Sequence, residues 1–210
     1  MIYLDYCATG APFESVLSLF KEISKNNFGN PSSLHFYGYE SKKILEEARN
    51  SILSILKVDK EDNLIFTSGA TEANNLALKG LALKYQNRGK KIITSEGEHP
   101  SILNPLRQLH DLFGFDIVYL KLNQDGVINL EDLKKAIDKD TILVSIMGVN
   151  NETGAISPLQ EIAKIVKEYP KCFFHSDLTQ AIGKIDLDYS IFDLFSFSAH
   201  KIGGLKGSGA

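Results

Sequence analysis

The segment from Ile92 to Leu120, IITSEGEHPSILNPLRQLHDLFGFDIVYL, indicates the fold class most directly. Its two ends, Ile92–Ser95 and Asp116–Leu120, are short apolar runs of the kind that form buried strands. Between them, from about residue 101 to 113, the sequence has the pattern of an amphipathic helix. A strand, a helix and a strand in this order predict a βαβ unit, with both strands parallel in one sheet.

The same alternation extends through most of the chain. Further strands are predicted over residues 64–67, 142–149, 172–176 and 193–197, and further helices over 41–56 and 72–87, from Asn129 onward and from Pro158 to about Glu168. These elements predict an α/β protein with three layers, in which helices cover both faces of a mainly parallel sheet. Ligands of such sheets bind beyond the carboxyl ends of the strands, so the residues that follow each strand are the candidates for a site.

Composition and charge exclude several classes of protein. The chain has 210 residues, of which 43% are hydrophobic and 23% charged, as in a soluble globular protein. Its net charge of −3 is accompanied by no basic patch, so nothing favours a nucleic acid partner. No segment is long and apolar enough to span a membrane, and the N-terminus lacks the features of a secretory signal.

Cysteine and histidine usage bears on compartment and on metals. Cys7 and Cys172 form no CxxC pair, which fits a reducing compartment, and we expect a cytoplasmic protein. None of the five histidines forms a local pair at ligand spacing, so no metal site is expected.

The stretch Thr67–Asn75, TSGATEANN, follows a predicted strand and leads into a helix. Gly69 allows a tight turn, and the backbone N–H groups of Ala70 and Thr71, with the Thr71 hydroxyl, would face outward at the helix N-terminus. This arrangement predicts a phosphate cradle. The alternative is ordinary capping of the helix by Ser68 or Thr71.

Three later strand ends carry His99, Asn150 and Asp177. His99 could stack on a flat ligand or simply cap the following helix. Asn150 could present its amide at the sheet edge or belong to a plain turn. Asp177 follows a strand that should be buried, and a buried carboxylate is costly unless it meets a positive partner. A cationic ligand group would be such a partner, and a helix N-cap is the alternative.

Lys201 follows the last predicted strand and is preceded by Ser198 and His200, which could donate to an anion. Burial lowers the pKa of a lysine and makes its amine a nucleophile for carbonyl compounds. The alternative is a surface lysine in a loop. Together, a phosphate cradle, a stacking imidazole, a buried carboxylate and a desolvated lysine are the groups that pyridoxal 5'-phosphate requires.

Motifs distributed from one end of the chain to the other carry a resemblance to a known family. They are Tyr3–Thr9 (YLDYCAT), Gly29–His35 (GNPSSLH), Thr67–Asn75, Glu98–His99, Val149–Gly154 (VNNETG), Asp177–Gln180 (DLTQ) and Ser196–Lys201 (SFSAHK). With them the chain resembles the cysteine desulfurases, the NifS-like branch of the class V aminotransferases among the fold type I pyridoxal phosphate enzymes. Gly10, Leu178 and Leu205 depart from the usual pattern, and none of them removes a cofactor contact.

The resemblance implies a role for each candidate residue. Lys201 would bind the cofactor covalently and move protons, and His99, the second catalytic residue, would stack on the cofactor ring. Asp177 would pair with the pyridine nitrogen, while Asn150 and Gln180 would face the phenolic oxygen and the substrate. The implied cofactor-binding set is Ala70, Thr71, His99, Asn150, Asp177, Gln180, Ser198, His200 and Lys201, of which Ala70, Thr71, Ser198 and His200 would hold the phosphate.

The resemblance also implies an activity and partners. Family members take sulfur from L-cysteine as an enzyme persulfide, leave L-alanine, and pass the sulfur to iron–sulfur scaffold proteins or other acceptors. They are homodimers. The alternatives are another class V enzyme, such as a selenocysteine lyase or an aminotransferase, and a non-catalytic interaction module with the same fold.

Family members carry a small C-terminal domain and a nucleophilic cysteine loop that have no counterpart in these residues. We therefore expect residues 1–15 to form an N-terminal segment on the small-domain side. Residues 16–210 are expected to form the cofactor-binding large domain, truncated at its C-terminal end. We expect this fragment alone to be inactive.

Overall fold

The predicted βαβ unit is present in the computed structural model, which describes residues 2–58 and 63–210. Met1 and residues 59–62, which fall in the predicted N-terminal segment and large domain, lie outside the described residues. The sheet contains β1 (Lys91–Ser95), β2 (Asp116–Leu120), β3 (Thr141–Ser145), β4 (Phe173–Asp177) and β5 (Leu194–Ser196). All neighbouring strands are parallel, in the order β2-β1-β3-β4-β5. The predicted α/β class with its parallel sheet is confirmed.

The described residues contain six α-helices. They are α1 (Glu14–Asn26), α2 (Phe36–Leu56), α3 (Ala70–Tyr85), α4 (Pro100–Phe113), α5 (Leu130–Ala136) and α6 (Leu159–Lys167). Two short 3₁₀ helices follow, Tyr189–Ile191 and Ala199–Lys201. None of the helices described is long and apolar enough to cross a membrane.

The two faces of the sheet support separate parts of the core, because successive strand residues point to opposite sides. Ile92 of β1 packs in a cluster with Leu78 of α3 and Leu106 of α4. Its neighbour Ile93 packs on the other side, in a cluster with Leu133 of α5 and Ile162 of α6. This two-sided packing is the predicted three-layer arrangement.

Local capping explains where several helices begin. The Asn129 side chain accepts a hydrogen bond from the Glu131 N–H at 2.8 Å and starts α5 at the predicted place. Helix α2 begins at Phe36, well before the predicted residue 41, because His35 caps it through the Gly38 N–H. Helix α1 was not predicted, although Val16, Phe20 and Ile23 have helical spacing; none of its side chains is buried.

The prediction of a strand over residues 64–67 is wrong. Thr67 makes only an isolated antiparallel bridge, with its N–H donating to the Gly209 carbonyl at 2.8 Å and its carbonyl accepting from the Gly209 N–H at 2.9 Å. The side chains of Ile65 and Phe66 are 58% and 40% exposed. An apolar run alone does not make a strand when its only pairing partner is the end of a short glycine-rich segment.

The glycine-rich segment Gly203–Ala210 packs between the residues before α3 and the residues after β5. Ala210 exchanges hydrogen bonds with Phe197, and Gly209 pairs with Thr67. The segment therefore joins the residues that precede α3 to those that follow β5. Both sets carry predicted site residues, so this pairing brings the two halves of the candidate site together.

Strand order also indicates where a ligand should bind. The chain passes from β1 to β2 on one side and then crosses back to β3 on the other side of β1. In open parallel sheets, the crevice at such a reversal lies beyond the carboxyl ends of the strands.

Candidate functional site

A cavity of about 460 Å³ opens beyond the carboxyl ends of the strands. This size is in the range of small-molecule sites. Its walls include all of the predicted cofactor-binding residues except Asn150. They are Ala70, Thr71, His99, Asp177, Gln180, Ser198, His200 and Lys201, joined by residues that the sequence did not single out: Cys7, Ala8, Ser101, Met147, Val149, Asn151 and Thr179.

Asp177 is the last residue of β4 and is only 6% exposed. Its Oδ2 accepts from Asn74 Nδ2 at 2.7 Å, and its Oδ1 accepts from the Thr179 N–H at 2.9 Å. The second bond closes a local turn. No helix begins at Asp177 in the described residues, so the alternative of a helix N-cap is wrong. Among the described residues no lysine, arginine or histidine forms a salt bridge with this carboxylate. The protein thus supplies neutral donors to Asp177 and leaves its charge available to a cationic ligand group.

Lys201 ends the 3₁₀ helix Ala199–Lys201 and is half-buried in the cavity wall. Its Nζ donates to the backbone carbonyl of Cys7, to which Gln180 Nε2 also donates at 2.7 Å. Gln180 Oε1 accepts from Lys184 Nζ at 2.8 Å. Burial and the nearby charge of Lys201 lower the pKa of Lys184. The N-terminal segment is therefore part of the site, which the sequence analysis missed.

The residues of the predicted phosphate cradle lie around Gly69, but the donors left free there differ from those predicted. The Ala70 N–H donates to Ser198 Oγ at 2.7 Å, so this amide is not free for an anion. The reason is that Gly209 of the glycine-rich segment pairs with both Thr67 and Ser198, which brings Ser198 to the start of α3. Ser198 Oγ is then an acceptor for Ala70, and its hydroxyl hydrogen can still be donated to an anion. Ala70 would act on an anion through Ser198.

Gly69 is required at this position. Its φ is +151°, and a Cβ there would lie 3.3 Å from Ser198 Oγ. Thr71 lies beside it at the N-terminus of α3, where an anion is favoured. His200 closes the other side, with Nδ1 placed 3.0 Å from Thr9 Oγ1. Burial, together with the charges of Lys201 and Lys206, lowers the pKa of His200.

His99 lies on the cavity wall, where its role toward a cofactor stays a prediction, whereas Asn150 does not line the cavity. His99 also caps α4, because its Nδ1 accepts from the Ser101 N–H at 3.1 Å. Asn150 Oδ1 accepts from the Glu152 and Thr153 N–H groups at 2.9 and 3.0 Å, and its Nδ2 donates to the Gly97 carbonyl. Its amide is thus used in a local turn, and its neighbour Asn151 lines the cavity instead.

Two buried titratable residues next to the cavity were not singled out from sequence. Burial raises the pKa of Glu98 to about 8; its Oε1 accepts from Ser95 Oγ and the Met147 N–H, and its Oε2 has no partner among the described residues. Burial lowers the pKa of His175 to about 4, and the charge of Asp177 opposes that shift. The signal for Glu98 was present, since it lies in the quoted Glu98–His99 motif.

Asn74 was also missed as a site residue. It is fully buried in α3 and bonds to both Asp177 and Ser101. It lies four residues after Ala70, and therefore on the same side of the helix, which the spacing in the Thr67–Asn75 motif could have indicated.

Comparisons with known proteins agree with this geometry. The family described as aminotransferase class V matches residues 2–210. The cysteine desulfurase IscS of Dictyoglomus turgidum is 48% identical over 211 residues, covering 100% of this chain and 53% of that protein. The mitochondrial cysteine desulfurase of Candida maltosa is 50% identical over 212 residues, covering 100% of this chain and 43% of that protein.

Solved structures are similar as well. A NifS-like protein superposes with a TM-score of 0.93 at 37% identity, covering 99% of this chain and 57% of that one. A structure described as SspA in complex with cysteine gives 0.92 at 34% identity, covering 100% and 60%. The chain spans about half the length of the curated relatives it matches, corresponding to their N-terminal part. With a parallel sheet of the NifS-like type and a family match along its whole described length, the chain belongs to the class V aminotransferases and has cysteine desulfurases as homologues.

Proposed function

We propose that the cavity binds pyridoxal 5'-phosphate and that the whole protein is a cysteine desulfurase. The observation that carries this proposal is Asp177, a buried carboxylate that faces the cavity without a cationic partner among the described residues. Two further features suit the cofactor. Gly69 leaves the space that a phosphate needs, and Thr179 Oγ1 is buried in the cavity wall without a hydrogen-bond partner in the described part of the chain.

Each group of residues would contribute a different contact. Asp177 would accept from the protonated pyridine nitrogen, and Lys201 would hold the cofactor covalently. Thr71, Ser198 and His200 would bind the phosphate, with Ala70 supporting Ser198, and His99 would lie against the ring. When bound, the cofactor draws electrons from the carbon atoms of an attached amino acid.

The remaining chemistry belongs to the side chains of this chain. Lys201 would take the proton from the α-carbon of the substrate. His99, which also lines the cavity, would exchange a proton with the substrate. Gln180 orients this region by bonding to the Cys7 carbonyl and to Lys184. Asn150 is left out of the set because its amide is used in a turn.

We infer that the substrate is L-cysteine and that sulfur leaves on a thiol outside these residues. Burial raises the pKa of Cys172 to about 12, so this thiol stays protonated and cannot serve as the nucleophile. Cys7 belongs to the opening motif Tyr3–Thr9 and not to the nucleophilic cysteine loop of the family, so we do not propose it as the nucleophile. The fragment should therefore release little sulfide from L-cysteine, and release at the rate of an intact enzyme would contradict this.

The proposal extends to partners and location. Several large apolar side chains near the N-terminus are exposed, among them Leu4, Phe20, Phe28, Leu34 and Phe36, and such a surface is typical of a protein interface. We propose that the whole protein is a cytoplasmic homodimer that passes sulfur to an acceptor such as an iron–sulfur scaffold protein. The N-terminal segment contacts the Lys201 region: the Gly10 N–H donates to the His200 carbonyl and the Phe13 N–H to the Gly203 carbonyl. We propose that this segment lies on the side of the small domain in the whole protein.

Reductive trapping tests the cofactor assignment. The purified chain is incubated with pyridoxal 5'-phosphate, reduced with borohydride and mapped by peptide mass. We expect one adduct, on Lys201, that is lost in Lys201→Ala and kept in Lys184→Ala, which removes the neighbouring amine. A folded wild-type chain without an adduct, or an adduct that persists in Lys201→Ala, would refute the proposal.

A further inference from the structure

A chain of buried hydrogen bonds runs beneath the cavity from Ser145 to His99. We propose that Asn74 and Ser101 are positioning residues that hold His99 in the tautomer with its proton on Nε2, and that the negative charge of Asp177 sets this arrangement. The importance of this tautomer for catalysis rests on the proposed function. The tautomer itself does not rest on it, because it follows from the buried hydrogen bonds alone.

Asp177 orients the side-chain amide of Asn74. An ionised carboxylate only accepts hydrogen bonds, so the Asn74 group facing Asp177 Oδ2 at 2.7 Å must be the donor Nδ2. The second hydrogen of Nδ2 then points to Ser101 Oγ at 2.9 Å. The Oδ1 atom faces Ser196 Oγ, which must donate to it. Asn74 is fully buried, so water cannot replace any of these partners.

Ser101 transmits this orientation to His99. Because its Oγ accepts from Asn74, its own hydrogen is free to point to His99 Nδ1, which lies 2.8 Å away. The Ser101 backbone N–H donates to the same nitrogen at 3.1 Å. A nitrogen that accepts from two donors carries no hydrogen, so the single proton of the neutral imidazole is on Nε2.

The hydrogen bonds on the other side of Asn74, from Ser145 through His175 to Ser196, also donate toward Asn74. Ser196 Oγ lies 3.4 Å from His175 Nε2, and Ser145 Oγ lies 2.9 Å from His175 Nδ1. Since Ser196 donates to Asn74, it accepts from the His175 Nε2–H, and the Ser145 hydroxyl donates to His175 Nδ1. Burial lowers the pKa of His175, which keeps its ring neutral as this pattern requires. In every hydrogen bond from Ser145 to His99, the donor is therefore the residue nearer to Ser145 and the acceptor is the residue nearer to His99.

The consequence for the site is a defined donor. His99 lines the cavity and uses Nδ1 internally, so Nε2 is the nitrogen available to a bound molecule. With its proton on Nε2, His99 donates to a substrate atom first and can accept there only after that proton has left. The reverse tautomer would present a base instead.

Nitrogen NMR of the ¹⁵N-histidine-labelled 210-residue chain at about pH 8 tests this, because neutral imidazole tautomers have distinct nitrogen resonances. His99→Gln assigns the signal. We expect the Nε2–H tautomer in the wild type and in Ser101→Thr, which keeps the hydroxyl. Ser101→Ala loses one donor to Nδ1 and should raise the ratio of the Nδ1–H to the Nε2–H tautomer about fivefold.

Asp177→Asn tests whether the charge of Asp177 sets the orientation of the Asn74 amide. An amide at position 177 can donate as well as accept, so the Asn74 amide could rotate. We expect a larger fraction of the Nδ1–H tautomer in this variant, with Nε2–H still the major form because the Ser101 backbone N–H is kept. A wild-type His99 with its proton on Nδ1 would overturn the proposal, as would Ser101→Ala and Asp177→Asn spectra that both match the wild type. The wild-type spectrum decides even where a variant does not fold. The measurement needs no cofactor, so it fails or succeeds independently of the borohydride adduct.

Discussion

Substituting Gly209 by alanine should destabilise the chain, because this residue lies where three backbone segments meet. A Cβ at Gly209 would lie 2.6 Å from Gly69 Cα and 2.6 Å from the Phe197 carbonyl oxygen. Both are backbone atoms, so no rotation of a side chain can relieve the contact. The segment must move away, and the two hydrogen bonds between Gly209 and Thr67, at 2.8 and 2.9 Å, are lost.

The expected cost follows from those contacts. Two hydrogen bonds contribute about 1 kcal/mol each, and the adjoining Ala210–Phe197 pair raises the expected loss of unfolding free energy to about 2–4 kcal/mol. Gly80→Ala is the matched control: Gly80 lies in α3 with nothing within 4 Å of its Cβ position. Alanine there should stabilise by about 0.5–1 kcal/mol through helix propensity.

Urea unfolding followed by far-UV circular dichroism measures both variants, a choice that suits a chain with no tryptophan. The Gly209→Ala midpoint should fall while the Gly80→Ala midpoint rises. A Gly209→Ala midpoint equal to or above that of the wild type, with Gly80→Ala behaving as expected, would refute the role assigned to the glycine-rich segment.

Two other properties can be tested on the same chain. Burial raises the pKa of Glu98 from 4.5 to about 8, so the folded state keeps a proton that the unfolded state loses, and stability should fall by up to about 1.4 kcal/mol per pH unit within that window. Burial lowers the pKa of His175 from 6.5 to about 4, which has the opposite effect on stability below pH 6.5. Between about pH 6.5 and 8 only the Glu98 slope is therefore expected, and it should vanish in Glu98→Gln. Urea midpoints that fall equally with pH in the wild type and in Glu98→Gln would contradict this prediction. Thiol titration with an aromatic disulfide should find one reactive cysteine in the native chain, Cys7, and two in denaturant, because Cys172 is buried with its pKa raised to about 12. Cys7→Ser should leave none in the native state, and rapid reaction of two thiols without denaturant would exclude this assignment.

Local sequence patterns were sufficient for the elements of the sheet. The strand ending at Ser95 and the helix from Pro100 appear where the apolar spacing predicted them, because each spacing reflects one side facing the core. The same reasoning failed at residues 64–67. That run is apolar, but strand formation also needs a partner, and its partner lies near residue 209.

The sequence by itself determined the α/β class, the parallel sheet, and the placing of Asp177, His99 and Lys201 at strand ends. Only the tertiary structure decided what these residues touch. Ala70 bonds to Ser198 across 128 positions, and Asn74 bonds to Asp177 across 103. The physical reason is that periodicity and capping act within a few residues, whereas a binding site depends on side chains that meet only after the sheet has formed.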